Sequence, residues 1–475
     1  MRDMSSSVCW PTVPFPAAED AAAELFGALW QREGAQVSAA FLDSSDHART
    51  PAPNRSRYSI LAFSSPADQS ADLDSGGFKW LEQNWPHQGA RADATGSPSP
   101  FQLGWVGWIG YEGQARLFAV TRAVVVDHHL GTAEIQSAGA DPDWQDAVRR
   151  AVTALPHSRG APEQVQLRNL RVRDSREAYV AKIGAAQAEI REGNSYEVCL
   201  TTAVEGQLQG SAWEAYRTLR QRNRAPFTQF LHFPALPGRK ATAVLSTSPE
   251  RFASITAAGR IRSEPIKGTR PRGATPEEDD KALRDLQSHP KDRAENVMIA
   301  DLVRNDLSVH AVPGTLRTER LCAVESYPTV HQMVSTISAT LDPQVKRARA
   351  LADAFPPGSM TGAPKASTIN ILAELESAPR GAYSGVAGWF SATGACDLSV
   401  LIRTAVLTSD SVGLEKDQWG FHLGLGGAIT ADSQPAAEWE EIITKSRGVL
   451  GALGEEFPQA RASRYSATHT RIADC

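Results

Sequence analysis

The chain has 475 residues, 41% hydrophobic and 22% charged, with a formal net charge of -5; this allows a large core and two or three domains and leaves no broad basic field for nucleic acid. Five cysteines, at 9, 199, 322, 396 and 475, form no CxxC pair, the pattern of free thiols in a reducing compartment. The segment MRDMSSSVCWPTVPFP holds no apolar run of signal-peptide length and no stretch approaches about 18 apolar residues, so a cytoplasmic protein without a membrane segment is expected.

From Val37 to Phe63 short apolar runs alternate with turn signals, and GWVGWIGYEG at 104–113 reads as a glycine-punctuated strand pair, so the first part is predicted to be mostly β. A helix over 143–154 and a loop containing Pro156, Gly160 and Pro162 follow, placing a soft boundary near residue 165. Asp174 is positioned to cap a helix over 175–192 whose apolar face is Tyr179, Ile183, Ala186 and Ile190, with Gly193 to end it. Strands are predicted at 195–204, 227–233, 241–247, 252–256 and 260–266, separated by turns rather than crossover helices, which favours antiparallel pairing. Thr275, Pro276, Glu277 and Glu278 form a capped helix start that predicts a helix over 276–288, with a second over 291–305. A β-rich stretch at 315–341, helices over 344–353 and 364–377, strands within 384–425 and a helix over 435–451 follow, leaving 456–475 as a flexible tail. Strand runs interleaved with helical blocks argue for an α+β fold with antiparallel sheets.

Lys267 lies in PIKGTRPRG at 265–273, close in sequence to Arg270 and Arg272. A nucleophilic lysine needs burial or nearby positive charge to lower its pKa, and the arginines offer the charge; alone, the run also reads as a solvated basic turn. Asp292 with Glu295, and Glu438 with Glu441, are spaced i, i+3 on two predicted helices, so each pair projects from one face. Either pair alone suits a solvated acidic face. Brought together they would repel unless a cation neutralised them, and an all-oxygen set suits Mg2+. Glu250 in SPERF either pairs locally with Arg251 or, with a raised pKa, protonates a departing hydroxyl. Gly424, Gly426 and Gly427 let backbone N–H groups approach an anion, or form a tight turn.

PIKGTRPRG, SPERF at 248–252, KDRAENVMIADLVRNDL at 291–307, FPPGSMTGAPK at 355–365 and GLGGAITADS at 424–433 together resemble the chorismate-binding enzymes, over roughly residues 172–451. The resemblance implies a two-layer antiparallel β-sandwich flanked by helices (α/β/β/α), with N- and C-terminal parts intertwined. It divides the chain into an N-terminal region over 1–165, with an amino-acid pocket, and a chorismate-binding catalytic region over 166–455. Lysine in the PIKGT run marks the branch that aminates carbon 4 of chorismate, where the anthranilate-forming branch carries alanine. The implied reaction uses chorismate and ammonia, the latter from a glutamine amidotransferase subunit in a heterodimer, on the route to p-aminobenzoate and folate.

Carried over residue by residue, the resemblance implies Lys267 as nucleophile and Glu250 as general acid. Tyr383, Arg403, Gly424, Gly426, Gly427, Lys445, Thr361 and His331 become substrate contacts, although His331 also reads as a satisfied core histidine. Glu295 and Glu441 become direct ligands of Mg2+, with Asp292 and Glu438 acting through water. Ser44 and Ser45 of FLDSS, with Pro226 and Phe227, resemble the family's amino-acid pocket. The run NSYEVCLTT departs from the VNLS-like version of many bacterial relatives, which bears on lineage. None of the cysteines sits in a G-x-C-x-G setting, so the chain is not expected to use glutamine unaided. Rival readings are anthranilate synthase component I, disfavoured by Lys267, an isochorismate or salicylate synthase, which needs no ammonia donor, and a catalytically silent chorismate-binding subunit.

Overall fold

A computed structural model describes residues 10–18, 20–44, 47, 50, 55–65, 68–86, 97, 99–155, 160–409 and 418–458. Their strands form two antiparallel sheets, one of 12 strands and one of 10. Through the middle of the larger sheet run, side by side, Ser38–Asp43, Phe227–Phe233, Ala241–Ser248, Thr404–Ser409, Gln418–Ile429 and Glu197–Gln209. The smaller sheet runs from Ile266–Pro271 at one edge through Val330–Thr340, Arg260–Glu264, Arg251–Ile255, Cys396–Val400 and Val386–Ser391 to Gly104–Ile109 and beyond. Early and late strands share both sheets, so the two parts of the chain are intertwined as the resemblance implied.

The layering follows from alternation along the strands. In Ser38–Asp43, Ala39 and Phe41 face one apolar cluster while Ala40 and Leu42 face another, and Leu61 and Phe63 divide in the same way from Ile60 and Ala62. A strand places successive side chains on opposite faces, so a run that is apolar at every position is buried on both. One face packs on the helices Ala21–Glu33, Arg176–Arg191, Ala212–Arg222 and Pro435–Leu450; the other, with Val106, Phe118, Leu231, Val244 and Leu401, fills the space between the sheets. A third cluster joins the smaller sheet to Gly77–Asn84, Pro290–Ser308 and Arg347–Ala354, completing an α/β/β/α stack. Each fully buried Leu or Phe in these layers contributes roughly 1.5–3 kcal/mol.

The first part is mostly β, as expected, and it also holds two helices that were not predicted, Ala21–Glu33 and Gly77–Asn84. In the first, Leu25, Phe26, Leu29 and Trp30 recur at helical spacing and are buried. Asp174 does not cap the next predicted helix. Ser175 accepts from the Ala178 N–H at 3.2 Å, while Asp174 accepts from Lys182 and Thr202, each at 2.7 Å. The strand expected over 260–266 is broken at Pro265, which cannot donate to the ladder, and pairing resumes at Ile266–Pro271. Phe457 is buried against Trp439, at 5.7 Å between ring centroids, so packed structure reaches into the expected tail; residues 459–475 lie outside the described residues.

Arg55 fastens the loop before the Tyr58–Ser64 strand to the smaller sheet. Its guanidinium donates to Glu264 at 2.9 Å, Glu325 at 2.6 Å and Tyr327 at 2.9 Å, all in a buried setting. Burial works against the Glu264 charge, but Arg251 and Arg55 outweigh it and hold its pKa down at about 2, from an ordinary 4.5. That stability is present above the ordinary value and is lost as pH falls towards about 2. Arg55→Ala leaves two buried carboxylates short of a partner and is expected to cost about 3–5 kcal/mol in urea unfolding at neutral pH. The deficit against wild type should shrink on acidification, as the carboxylates are neutralised.

Candidate active site

Two crossings of the chain from sheet to sheet build the site. Ala241–Ser248 of the larger sheet passes through Pro249 and Glu250 into Arg251–Ile255 of the smaller, and Cys396–Val400 returns through Arg403 to Thr404–Ser409. The crossings are tied together by the Val400 N–H donating to the Glu250 carbonyl at 3.0 Å. Arg403 takes a left-handed φ of 51° at its crossing, a conformation that costs a non-glycine residue about 1–3 kcal/mol.

Lys267 is buried on the edge strand of the smaller sheet, and its Nζ contacts Glu197 Oε1, on the Glu197–Gln209 strand of the larger. The arginines of the same run do not surround this amine. Gly268, Arg270 and Arg272 face the helices instead: Arg270 donates to Asp285 and Asp292 at 2.7 Å each, and Arg272 to Asp279 at 2.6 Å. The expectation of a lowered lysine pKa is therefore overturned. Burial pulls it down, but Glu197, then Glu295, outweigh burial and hold the ammonium above the ordinary lysine value. Glu197 was missed as a site residue; the signal was a lone acid inside an apolar strand, in SYEVCLTT.

Glu250 makes no pair with Arg251, whose guanidinium is taken by Glu264 and by Asp397 at 2.8 Å. Its own Oε1 accepts from Ser359 at 2.7 Å. Burial raises its pKa to about 7 against the smaller lowering pulls of Ser359 and Lys267. A small pocket opens beside it, lined by Phe252, Ser263, Pro265, Val303, Asp306 and Ser359 among others. A carboxyl neutral up to that pH can donate a proton to a leaving group.

The two acidic helices meet, with Lys291 between them. Its Nζ lies 3.7 Å from Glu295 and 3.8 Å from Glu438. Burial raises the pKa of both carboxyls, and Glu295 Oε1 and Glu438 Oε2 are buried oxygens with no hydrogen-bond partner among the described residues. Buried carboxylate oxygens left open are costly, and they are what a hard cation takes as ligands. Glu441 is half-exposed and ion-paired to Lys445 at 2.7 Å. Asp292 is engaged by Arg270 and by His289 at 3.0 Å, rather than standing open beside Glu295. Among the described residues no three His, Cys, Asp or Glu side chains are gathered as a ready-made metal site.

The glycines belong to the Gln418–Ile429 strand, paired with Glu197–Gln209, and not to a turn. A Cβ on Gly424 would lie 2.1 Å from the Tyr383 ring, and one on Gly426 would lie 3.0 Å from Thr201 and 3.1 Å from the Tyr383 hydroxyl. At Gly427 the nearest atom is the open Glu438 Oε2, at 3.4 Å. Lys445 donates to the Gly426 carbonyl at 2.8 Å. Among the described residues the Arg403 guanidinium makes no hydrogen bond or ion pair, and burial lowers its pKa; it is a cation in want of an anion. Thr361 is buried, and its hydroxyl donates to the carbonyls of Pro357 and Gly358 at 3.2 and 3.3 Å. His331 is also buried, with one ring nitrogen on Ser326 at 2.7 Å and the other on Asp279 at 3.0 Å, so both its polar atoms are occupied within the fold.

Ser44 and Phe227 are brought together because Asp43 pairs with Thr228 in adjacent strands, and Phe227 itself pairs with Ser248 at the crossing that carries Glu250. Ser44 donates to the Tyr58 carbonyl at 2.6 Å, and the Phe227 ring lies 5.1 Å beneath the Arg251 guanidinium. Pro226 is buried beside them. Ser45 lies outside the described residues.

Residues 48–451 match the family model described as chorismate binding enzyme, and the chain belongs to that family. It is 40% identical over 414 residues to an aminodeoxychorismate synthase of Streptomyces griseus, covering 82% of this chain and 55% of that protein. Similarity to aminodeoxychorismate synthase component 1 of Klebsiella aerogenes is 37% over 375 residues, covering 78% and 75%. Among solved structures, anthranilate synthase component I of Streptococcus pneumoniae superposes with a TM-score of 0.68 at 23% identity, over 83% of this chain and 92% of that one, a likeness of fold. The chain spans about half the length of the Streptomyces griseus relative.

Glu250 should titrate with a midpoint near 7 by isotope-edited infrared spectroscopy, and Ser359→Ala, which removes a hydrogen bond to the charged form, should move the midpoint higher. Because its folded pKa is raised, the stability that Glu250 contributes is full below 4.5 and is lost as pH rises through about 7. Glu250→Gln should therefore gain on wild type in urea midpoint across that interval.

Proposed function

We propose that this chain has the activity of aminodeoxychorismate synthase component I, binding chorismate and replacing its 4-hydroxyl with an amino group while the pyruvyl ether is retained. The observation that carries the reading is the pairing of a buried amine, Lys267, with a buried carboxyl, Glu250, that keeps its proton to about pH 7 and lies within range of the lysine charge. Lys267 Nζ attacks ring carbon 2 as Glu250 protonates the hydroxyl leaving carbon 4, and ammonia then attacks carbon 4 and expels the lysine amine. One difficult substitution is thereby split into two allylic ones. Arg403 receives a substrate carboxylate, and Tyr383 and the glycine strand shape the wall beside it. Thr361 and His331 stay on as structural neighbours of the site.

Glu295, Glu438 and Glu441 would hold magnesium, and the open oxygens of the first two support that fit; when bound it supplies positive charge against substrate carboxylate. Ammonia comes from a glutaminase partner, in keeping with relatives named component 1. Cys199, Cys322 and Cys396 are buried thiols rather than accessible nucleophiles. The product then enters p-aminobenzoate and folate synthesis in the cytoplasm. Among the described residues no helix is long and apolar enough to cross a membrane.

Incubation with chorismate, magnesium and ammonium is expected to yield 4-amino-4-deoxychorismate. Formation of anthranilate or isochorismate instead would refute the assignment. Lys267→Arg keeps a cation but offers no neutral amine, so chorismate should still bind while amination is largely lost; Glu250→Gln should slow turnover roughly 100- to 10,000-fold. Magnesium is expected to raise the Tm of the wild type, and the rise should be absent in Glu295→Gln and Glu438→Gln.

A further inference from the structure

The reaction proposed above needs a neutral amine, and the folded protein supplies an ammonium. Burial alone would lower the Lys267 pKa, yet Glu197 and Glu295 more than cancel it, and Arg270 and Arg272 are committed to the acids of the neighbouring helices. The proton on Nζ must therefore pass to a group inside the site before the nitrogen lone pair is free. Glu197 is in contact with that nitrogen through Oε1, its side chain is fully buried, and its Oε2 has no hydrogen-bond partner among the described residues. A carboxylate in direct contact with the ammonium, with an oxygen left open, has the geometry to accept that proton.

The other titratable groups around the pair do not fill this role. Glu250 already holds a proton to about pH 7, and the Cys199 thiol is pushed up by burial and stays neutral. Glu295 and Glu441 face Lys267 without an ion-pair contact to it, and Glu441 is engaged by Lys445. Arg380, held by Glu376, is a permanent cation.

We infer that Glu197 is the base that takes the proton from Lys267, so that the buried ion pair becomes a neutral amine beside a neutral carboxyl as substrate enters. The inference rests on the reading of Lys267 as nucleophile. In the first half-reaction the freed lone pair forms the N–C2 bond, both conjugated ring double bonds shift towards C4, and the C4–O bond breaks with the Glu250 proton leaving in water. The adduct is then a secondary ammonium, Glu250 is ionised and Glu197 is protonated. In the second half-reaction ammonia forms the C4–N bond and the lysine leaves as a neutral amine. Glu250 takes the extra proton from the new C4 ammonium and Glu197 returns its proton to Lys267, restoring the starting state.

Intact-protein mass spectrometry of samples quenched with chorismate and magnesium, without ammonia, measures the rate of the Lys267 adduct between about pH 5 and about pH 6, below the Glu250 midpoint near 7, where Glu250 still holds its proton. In the wild type that rate should be flat, because one proton is shared within the pair and none is exchanged with solvent. Glu197→Gln should slow the adduct roughly 100-fold and make its rate climb with pH, since the lysine then loses its proton only to water. Glu197→Asp retains a carboxylate and should keep the flat profile at whatever rate it reaches. A wild-type rate and profile in Glu197→Gln, or a climbing profile in Glu197→Asp, overturns the role of Glu197. Absence of any Lys267 adduct in the wild type overturns the nucleophile reading itself, so the two failures are told apart.

Discussion

A buried ammonium on the edge of one sheet, held by a buried carboxylate on the other, is the contact around which the site is organised. Lys267 and Glu197 are brought together only because the two sheets pack face to face. An ion pair removed from water is worth little for stability by itself and is severely costly when one member is lost. Here the pair sits beside Glu295, Glu250 and Cys199, each of whose ionisation is shifted by burial and by the same lysine. The site is a small volume in which moving one charge alters the others, and perturbed groups of this kind cluster where chemistry is done.

Packing decides which of these charges are committed and which are left open. The Gln418–Ile429 strand can lie under Tyr383 because Gly424 has no side chain, and the same economy at Gly427 leaves Glu438 Oε2 facing bare backbone. Asp292, one helical turn from Glu295, is ion-paired to Arg270, whereas Glu295 keeps an oxygen without a hydrogen-bond partner among the described residues. Among the described residues Arg403 likewise has no anionic partner, in contrast to Arg251 and Arg380, which are locked to acids. The open groups are one guanidinium and a set of carboxylate oxygens, which together suit an anionic ligand accompanied by a hard cation.

Local sequence was sufficient for most of the elements. The helix Pro276–Ser288 has the predicted Thr275 cap with its reciprocal Glu278, and Phe227–Phe233 and Pro435–Leu450 fall where alternation and helical spacing placed them. These signals are short-range: a cap, a turn or a periodicity is complete within a few residues. The i, i+3 carboxylate pairs were legible for the same reason, and so was the belonging of the chain to its family through its ordered motifs.

What the sequence by itself determined, then, is the set of elements, their antiparallel character and the residue types available for chemistry. Only the tertiary structure decided which of those residues meet. Arg270 and Arg272 lie within five residues of Lys267 and do not tune it, because the strand turns them towards the helices; Glu197, 70 positions away, holds its amine. Glu250 abandons its neighbour Arg251 for Ser359, 109 positions on. A pKa is set by burial and by charges within a few ångströms in space, and those distances exist only once the two sheets have closed on each other.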